Sequence, residues 1–371
     1  MSDRHRLTQV PPGVQCFVGE EAHRRRRIEE TVVSVFEGWD YEEIIPPLFD
    51  YADVFASEAL APKTCSFVGR DGSLLALRPD FTSLLAKIAA GRLRDRPAPI
   101  RLYYSGEVVR WEAPRPGGRA ELYQMGLEHL GGRPRAADAE VLAIAAECLE
   151  RLGARDFVLA LGHVGVFTGL LADADLEPAR LETLRERVEA KDAAGTRQAL
   201  EGARLSPDAR AGLERLTAMA GGVDVLDEAA RAFASCAPAA RALLELRAVV
   251  EGLVAAGLRP RLAIDLGEVR GLDYYTGLVF RAYAPALGFE VGAGGRYDAL
   301  LARFGRPLPA VGFMLGLDRI ALLLERQGMA PTVVSPPAEL VDGDDIGTAL
   351  ATARARRAAG TRVRFSNGED R

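Results

Sequence analysis

The most constraining feature of the sequence is a pair of long strand-like segments, residues 100–114 and 120–132, joined through Pro116-Gly117-Gly118. A short loop of this composition suits a connection between neighbouring antiparallel strands. Further strand-like segments occur without a βαβαβ alternation, and no Rossmann or P-loop glycine pattern is present. We therefore predict an α+β fold, with an antiparallel sheet flanked by helices.

The domain organisation follows from a change of amino-acid composition and periodicity along the chain. Residues 166–257 are rich in Ala, Leu, Glu and Arg and have helical periodicity, which predicts an inserted helical subdomain. The core then comprises residues 10–165 and 258–327. Residues 328–371 form a short tail with the pattern of a linker, one helix and one strand, which is too little to bury a core of its own.

Charge and cysteine usage exclude several classes of protein. The formal net charge is −5, and the only basic run, His23 to Arg27, has the pattern of a solvated helix face, so no basic surface for a long nucleic acid is predicted. The four cysteines are scattered and have no CxxC spacing, which argues against a disulfide framework or a metal site. No apolar run approaches the ~20 residues of a membrane span, and the first residues lack a secretory signal. We expect a cytoplasmic protein without metal, cofactor or membrane contact.

Charged side chains on strands suggest a binding pocket. Carboxylates and arginines alternate in LRPDFT, GEVVRWE, LYQMGLE, RGLDYY and GAGGRYD, a combination that suits a zwitterion whose ammonium meets acids and whose carboxylate meets an arginine. Each piece alone also has a plain structural reading. A strand arginine is often an ion-pair partner, Gly294-Gly295 could form a bulge, and Tyr274 and Tyr275 could face opposite sides of a strand.

Four motifs occur together in an order typical of one protein class: YSGEVVRWE (104–112), RGLDYYTG (270–277), GAGGRYD (292–298) and GFMLGLDRI (312–320). Over residues 10–325 the sequence resembles class II aminoacyl-tRNA synthetases, and within them the histidyl branch. The resemblance implies the antiparallel sheet of that class and a pocket for free L-histidine.

The resemblance also implies roles for individual residues. Asp80, Thr82 and Gln124 would hold the α-ammonium group, Glu128 and Tyr275 the imidazole nitrogens, and Arg270 the carboxylate, with Tyr274 in the same set. Candidate residual nucleotide or phosphate contacts are Arg110, Glu112 and Arg319. No catalytic residue is predicted. His129 and His163 are interpreted as structural.

Two departures from the synthetases narrow the family. Leu122 occupies the position of the adenine-stacking aromatic residue, and Ala120 and Glu121 replace polar or basic residues near the phosphates. An acidic side chain there is unfavourable for a triphosphate. The expected anticodon-binding domain, a complete α/β unit, has no counterpart in residues 326–371. These departures resemble the regulatory subunits of short-form ATP phosphoribosyltransferase, the first enzyme of histidine biosynthesis.

That second resemblance implies a non-catalytic protein with specific partners. These are the short catalytic subunit of ATP phosphoribosyltransferase and L-histidine, with homodimerisation through about residues 29–55 inside a hetero-oligomer, and with no tRNA. The alternative is a histidyl-tRNA synthetase that lacks a complete anticodon-binding domain.

Overall fold

The computed structural model describes residues 8–57, 60–111, 119–269, 274–330, 338–343 and 345–366. The chain divides into two compact units, Met1–Pro331 and Thr332–Arg371. Within the described ranges, no helix combines the length and apolarity needed to cross a bilayer. In the same ranges, no group of three or more His, Cys, Asp or Glu side chains is placed to hold a metal ion.

The strands of the described residues are β1 (Glu42–Glu43), β2 (Phe49–Tyr51), β3 (Ser66–Val68), β4 (Leu74–Leu77), β5 (Ile100–Val109), β6 (Glu121–Leu130), β7 (Val158–His163), β8 (Ala220–Gly221), β9 (Leu262–Asp265), β10 (Leu278–Tyr283), β11 (Glu290–Arg296), β12 (Ala310–Gly316), β13 (Glu339–Val341) and β14 (Val363–Phe365).

The α-helices are α1 (Gly19–Gly38), α2 (Thr82–Ala90), α3 (Pro134–Arg151), α4 (Val164–Leu170), α5 (Pro178–Glu189), α6 (Ala193–Leu200), α7 (Pro207–Leu216), α8 (Val225–Ala232), α9 (Ala237–Ala255), α10 (Leu317–Arg326) and α11 (Ile346–Ala358). Short 3₁₀ helices occupy Ala52–Phe55, Ala61–Lys63, Arg259–Arg261 and Leu301–Phe304.

The larger unit is organised around a nine-stranded sheet with the order β1-β5-β6-β12-β11-β10-β7-β9-β8. The six central strands of this sheet are β5, β6, β12, β11, β10 and β7, and each pairs antiparallel with its neighbour. Among them β5 and β6 form the predicted pair, with Ile100 opposite Leu130. The sheet is not antiparallel throughout, because β1 runs parallel to β5 and β7 runs parallel to β9. The prediction of an α+β fold with helices on the sheet is confirmed, and its sheet is mixed.

Helices α1 and α3 bury their apolar sides in the main core. Ile28, Val32, Val35 and Phe36 of α1 are all buried, as their i, i+4, i+7, i+8 spacing predicts. The aromatic ring of Phe36 contacts Phe313 of β12 edge-on at 5.9 Å between centroids. This packing fixes the face of the sheet opposite the pocket described below.

A small second sheet, in the order β2-β4-β3, positions the start of α2. The chain passes from β4 through residues 78–81 directly into α2, so that Asp80 and Thr82 lie at the mouth of this helix. Arg78 secures the connection, because its guanidinium donates to the carbonyl oxygens of Glu107 at 2.6 Å and Pro46 at 2.9 Å.

Residues 164–255 are predominantly helical and run from α4 to α9. One short strand lies among these helices: β8 pairs with β9 and so extends the main sheet. Two residues are too short to show a strand period, and this strand has no counterpart in the sequence pattern.

The smaller unit is a β-α-β arrangement of β13, α11 and β14, with the two strands parallel. Val341, Ala349 and Ala353 form its buried cluster. The helix and the last strand agree with the sequence pattern, whereas β13 lies where a linker was predicted. The three residues of β13 are extended because they pair with β14, which lies more than 20 positions later in the chain. A local sequence pattern cannot predict such a pairing.

Candidate functional site

A buried carboxyl group, that of Glu128 on β6, is the centre of the candidate site. Glu128 is 2% exposed. The hydroxyl of Thr82 donates to its Oε1 at 2.7 Å, and the phenol of Tyr297 donates to its Oε2. Burial raises the pKa of this carboxyl to about 8, against the lowering effect of the two hydrogen bonds. Residues from β6, α2 and the end of β11 therefore converge on one acid.

A glycine in the neighbouring strand β12 makes room for this acid. Gly312 of β12 lies directly opposite Glu128 in the antiparallel register. A Cβ atom at Gly312 would lie 1.7 Å from Oε2 of Glu128 and 2.5 Å from the carbonyl oxygen of Leu127. Only glycine therefore allows the carboxyl to lie across the backbone of β12.

Asp80 supplies the second carboxyl of the site. It accepts hydrogen bonds from the backbone N–H of Ser83 at 3.3 Å and from its hydroxyl at 3.2 Å. Burial raises the pKa of Asp80, and the charge of Arg110 opposes that shift. Arg110 is held beside it by a 2.6 Å hydrogen bond from its Nε to the carbonyl of Pro79. Asp80 and Glu128 are thus close enough to interact electrostatically, and one of the motif arginines lies beside Asp80.

Three tyrosine rings lie near the carboxyl group of Glu128. The ring of Tyr274 stacks on that of Tyr297 at 5.2 Å between centroids and contacts Tyr275 edge-on at 5.1 Å. Tyr274 also shares a hydrogen bond with Thr82, although burial keeps its pKa well above the usual value. Burial raises the pKa of Tyr275 to about 12. Both tyrosines precede β10, so strand alternation does not separate them, and both rings join the same cluster.

Gln124 lies on the same face of β6 as Glu128, two alternations along the strand. It is buried, and its register partners are Gly106 on β5 and Gly316 on β12. The structure therefore brings Asp80, Thr82, Glu128, Tyr274 and Tyr275 into one neighbourhood, with Gln124 further along the same face. The predicted residues Arg270 and Glu112 lie outside the described residues.

The empty protein is expected to lose stability as the pH rises from about 5 to about 8. The pKa of Glu128 is about 8 in the folded state and 4.5 for a free glutamate. The folded state therefore holds the proton more tightly, so this contribution is full below the unfolded pKa of 4.5 and is lost progressively until the pH reaches the folded pKa of about 8. The slope from this group alone approaches about 1.4 kcal/mol per pH unit.

Unfolding of the wild type and of Glu128→Gln at several pH values measures this slope. The variant should flatten it, because glutamine does not titrate. Glu121→Gln, at an exposed position on the same strand, should retain the wild-type slope. Equal slopes in all three proteins would contradict the assignment.

Comparison with known proteins shows the family and the fold. The histidyl-tRNA synthetase family model matches residues 13–320. The chain is also 41% identical, over 366 residues, to the ATP phosphoribosyltransferase regulatory subunit of Moorella thermoacetica, which covers 98% of this chain and 93% of the relative. The chain belongs to the family of ATP phosphoribosyltransferase regulatory subunits, built on the histidyl-tRNA synthetase fold.

Solved structures place this regulatory-subunit family member in the same fold. A protein from Bacillus halodurans C, titled as an ATP phosphoribosyltransferase regulatory subunit/histidyl-tRNA synthetase, matches with a TM-score of 0.86 and 30% identity over 98% of this chain and 94% of that one. The apo histidyl-tRNA synthetase of S. aureus matches with a TM-score of 0.70 and 23% identity, over 98% and 86%, and shares the fold. The predicted family and fold are confirmed.

The third motif's arginine, Arg319, is engaged elsewhere in this family member. Its Nη1 donates to the carboxylate and to the backbone carbonyl of Glu290, each at 2.9 Å. Its guanidinium lies 5.6 Å from the ring centroid of Phe289. A cavity of about 520 Å³ between α1 and α10 is lined in part by Arg319, Phe289 and Leu122. Arg319 is thus paired with Glu290, outside the candidate site, whereas Arg110 lies beside Asp80, an acid of the site.

Two residues that complete the site were not among the predicted ones. Tyr297 lies within the GAGGRYD motif and bonds to Glu128, and Gly312 opens the GFMLGLDRI motif. The sequence signal for Tyr297 is its position directly after Arg296. Consecutive residues at a strand end point to opposite faces, so one of the two had to face Glu128. Among the histidines, His163 accepts from the N–H of Gly165 at 3.1 Å and caps α4, in agreement with a structural role.

Proposed function

We propose that this regulatory-subunit family member binds L-histidine in the pocket around Glu128 and conveys its presence to a short-form ATP phosphoribosyltransferase catalytic subunit. The observation that carries the proposal is the buried Thr82–Glu128–Tyr297 arrangement, in a chain whose relatives are named regulatory subunits. The chain itself supplies no catalytic residue in this proposal, and it acts through the catalytic subunit's rate.

The chemistry of the pocket suits an imidazole. A carboxylate accepts from one ring N–H, and a phenol addresses the other ring nitrogen, so an apolar side chain would leave buried polar groups unpaired. In the proposal Glu128 takes the first role and Tyr275 takes the second, while Tyr297 bonds to Glu128. Asp80, Thr82 and Gln124 receive the α-ammonium group, and the proposed contact to the carboxylate is Arg270.

The proposal also names Arg110, Glu112 and Arg319 as residual nucleotide contacts, and two features of the structure disfavour tight nucleotide binding. A phosphate that approaches Arg319 has to displace the carboxylate of Glu290, which bonds to it at 2.9 Å. Leu122 offers no ring for an adenine to stack on. These features favour histidine sensing without histidine activation, and hence no charging of tRNA.

A homodimer within the hetero-oligomer is also proposed. Residues in and beside the predicted 29–55 interface expose apolar side chains: Ile45 is 85% exposed, Phe49 50% and Val68 71%. The rings of Phe49 and Phe67 also contact each other on this surface, at 5.7 Å between centroids, and contiguous exposed apolar groups favour an interface. The proposal includes a cytoplasmic location, which the four free cysteines favour.

Reconstitution with a short-form catalytic subunit tests the proposed function. The two chains should co-elute from a size-exclusion column at micromolar concentration, and the chain alone should elute as a dimer. The complex should differ from the free catalytic subunit in rate and in inhibition by histidine. A coupling of about 1–3 kcal/mol corresponds to a shift of roughly 5- to 150-fold in histidine affinity between the assembly states.

The control is the catalytic subunit assayed alone at the same concentration. Separate elution, together with a catalytic subunit already fully active and fully inhibited by histidine, would refute the regulatory assignment. Transfer of labelled histidine to histidine tRNA by the pure chain would favour the synthetase alternative instead.

A further inference from the structure

We propose that the buried ion pair between Arg296 and Asp138 is the positioning element that holds Tyr297 against Glu128, and that it thereby sets the pocket's discrimination for imidazole. This inference rests on the proposed function and deepens it. Neither Arg296 nor Asp138 belongs to the face of the sheet that lines the pocket. Both act from the opposite face.

The first observation is the placement of two consecutive residues on opposite faces. Tyr297 turns towards Glu128, whereas Arg296 turns towards α3, where its Nη2 meets Oδ1 of Asp138 at 2.6 Å and its Nε meets Oδ2 at 3.4 Å. Arg296 and Asp138 are each 6% exposed. Because the two side chains share adjacent backbone atoms, the position of one constrains the other.

The guanidinium of Arg296 has further partners. It donates to the carbonyl of Pro134 at 2.9 Å and to Asp298 Oδ1 at 2.9 Å. That same Asp298 oxygen accepts from the N–H of Ala310 at 2.8 Å. A planar guanidinium bonded in this way has little freedom to rotate. The strand end is therefore tied to α3 on one side and to β12 on the other.

The pair also fixes the segment that carries the other two tyrosines. A Cβ atom at Gly277 would lie 2.9 Å from Cδ of Arg296, so the arginine stem crosses directly over Gly277. Reciprocally, a Cβ atom at Gly295 would lie 2.8 Å from Cδ1 of Tyr275. The N–H of Thr276 donates to the carbonyl of Arg296 at 2.7 Å. The RGLDYYTG and GAGGRYD motifs therefore pack directly against each other, and Arg296 lies where they contact.

A cavity of about 620 Å³ borders the pair on its outer side. Its wall includes Asp138, Arg296 and Asp298 together with His163 and Glu245, whose Nε2 and Oε2 atoms are 3.5 Å apart. The ion pair is thus a wall between this cavity and the strand end that carries Tyr297. Loosening it gives Arg296 space to move into, and Tyr297 would then follow.

The test compares two ligands on matched variants. Isothermal titration calorimetry measures binding of L-histidine and of β-(2-thienyl)-L-alanine, whose ring has no nitrogen. Asp138→Asn should weaken histidine about tenfold, the equivalent of one hydrogen bond, and should leave the thienyl ligand within about twofold. A general loss of structure would weaken both ligands alike. The ratio of the two affinities therefore reports on positioning.

Glu147→Gln is the matched control. Glu147 lies on the same helix and accepts from the indole Nε1–H of Trp39, a residue outside the site, at 2.8 Å. It should leave the ratio unchanged. Arg296→Lys, which keeps the charge but loses the paired geometry, should reduce the ratio, and it serves as the test if Asp138→Asn does not fold.

Each outcome decides between the claims. A reduced ratio in the Asp138 or Arg296 variant, with the control unchanged, supports the positioning role. An unchanged ratio, or an equal reduction in Glu147→Gln, overturns it while the proposed function stands. Absence of histidine binding by the wild-type protein would overturn the proposed function, and the positioning role with it.

Discussion

Glu128→Gln is expected to weaken L-histidine binding by roughly 10- to 100-fold, the cost of losing hydrogen bonds to a charged group at about 1.5–3 kcal/mol. The carboxyl oxygens of Glu128 lie within hydrogen-bond reach of Thr82 and Tyr297, one each, and the ionised form that binds histidine can accept on both. The amide of glutamine accepts hydrogen bonds only on its oxygen. Its NH₂ group would face the hydroxyl of Thr82 or Tyr297, and that hydroxyl could no longer donate to this side chain. Titration calorimetry on the purified protein measures the loss.

The pH dependence separates the charge from the shape of this side chain. Because burial raises the pKa of Glu128 to about 8, the empty pocket holds a proton at neutral pH that the bound state must release. Histidine affinity of the wild type, relative to that of the variant, should therefore rise between pH 6.5 and 8. Titration of the ligand affects both proteins equally and cancels in the ratio.

Glu121→Gln is the control for this prediction, since Glu121 is an exposed acid on the same strand. It should bind histidine as the wild type does. Wild-type affinity in Glu128→Gln, at every pH, would mean that histidine binds elsewhere in the protein.

Gly312→Ala is expected to abolish histidine binding and to lower the free energy of unfolding by about 1–3 kcal/mol, as overpacking of a buried site does. The added Cβ would lie 1.7 Å from the Glu128 carboxyl and 2.5 Å from the backbone oxygen of Leu127. The carboxyl would have to leave its place between Thr82 and Tyr297. Denaturant unfolding and calorimetry measure the two effects.

Two further variants make this prediction specific. Gly288→Ala should be neutral, because a Cβ atom there meets nothing within 4 Å. The double variant Gly312→Ala/Glu128→Ala should recover part of the lost stability, since the side-chain clash is removed, but should not recover binding. Full histidine binding by Gly312→Ala would show that the carboxyl does not need its observed position.

Local sequence was enough to predict the scaffold. The pairing of β5 with β6 follows from two strand-like segments joined by a short loop, and the buried face of α1 follows from apolar residues spaced at i, i+4, i+7 and i+8. These features depend on neighbours along the chain, and neighbours along the chain can be read directly. The ordered motifs likewise indicated the family before the fold was known.

The inner arrangement of the site was decided by tertiary structure. That Tyr297 donates to Glu128, that Gly312 must lack a side chain and that Arg319 pairs with Glu290 all depend on strand register and on residues distant in sequence. Glu128 and Tyr297 are 169 positions apart, and no local pattern states their distance. The sequence by itself determined which groups are available and on which elements they lie. Packing of the sheet determined which of them meet, because antiparallel register turns distant residues into direct neighbours.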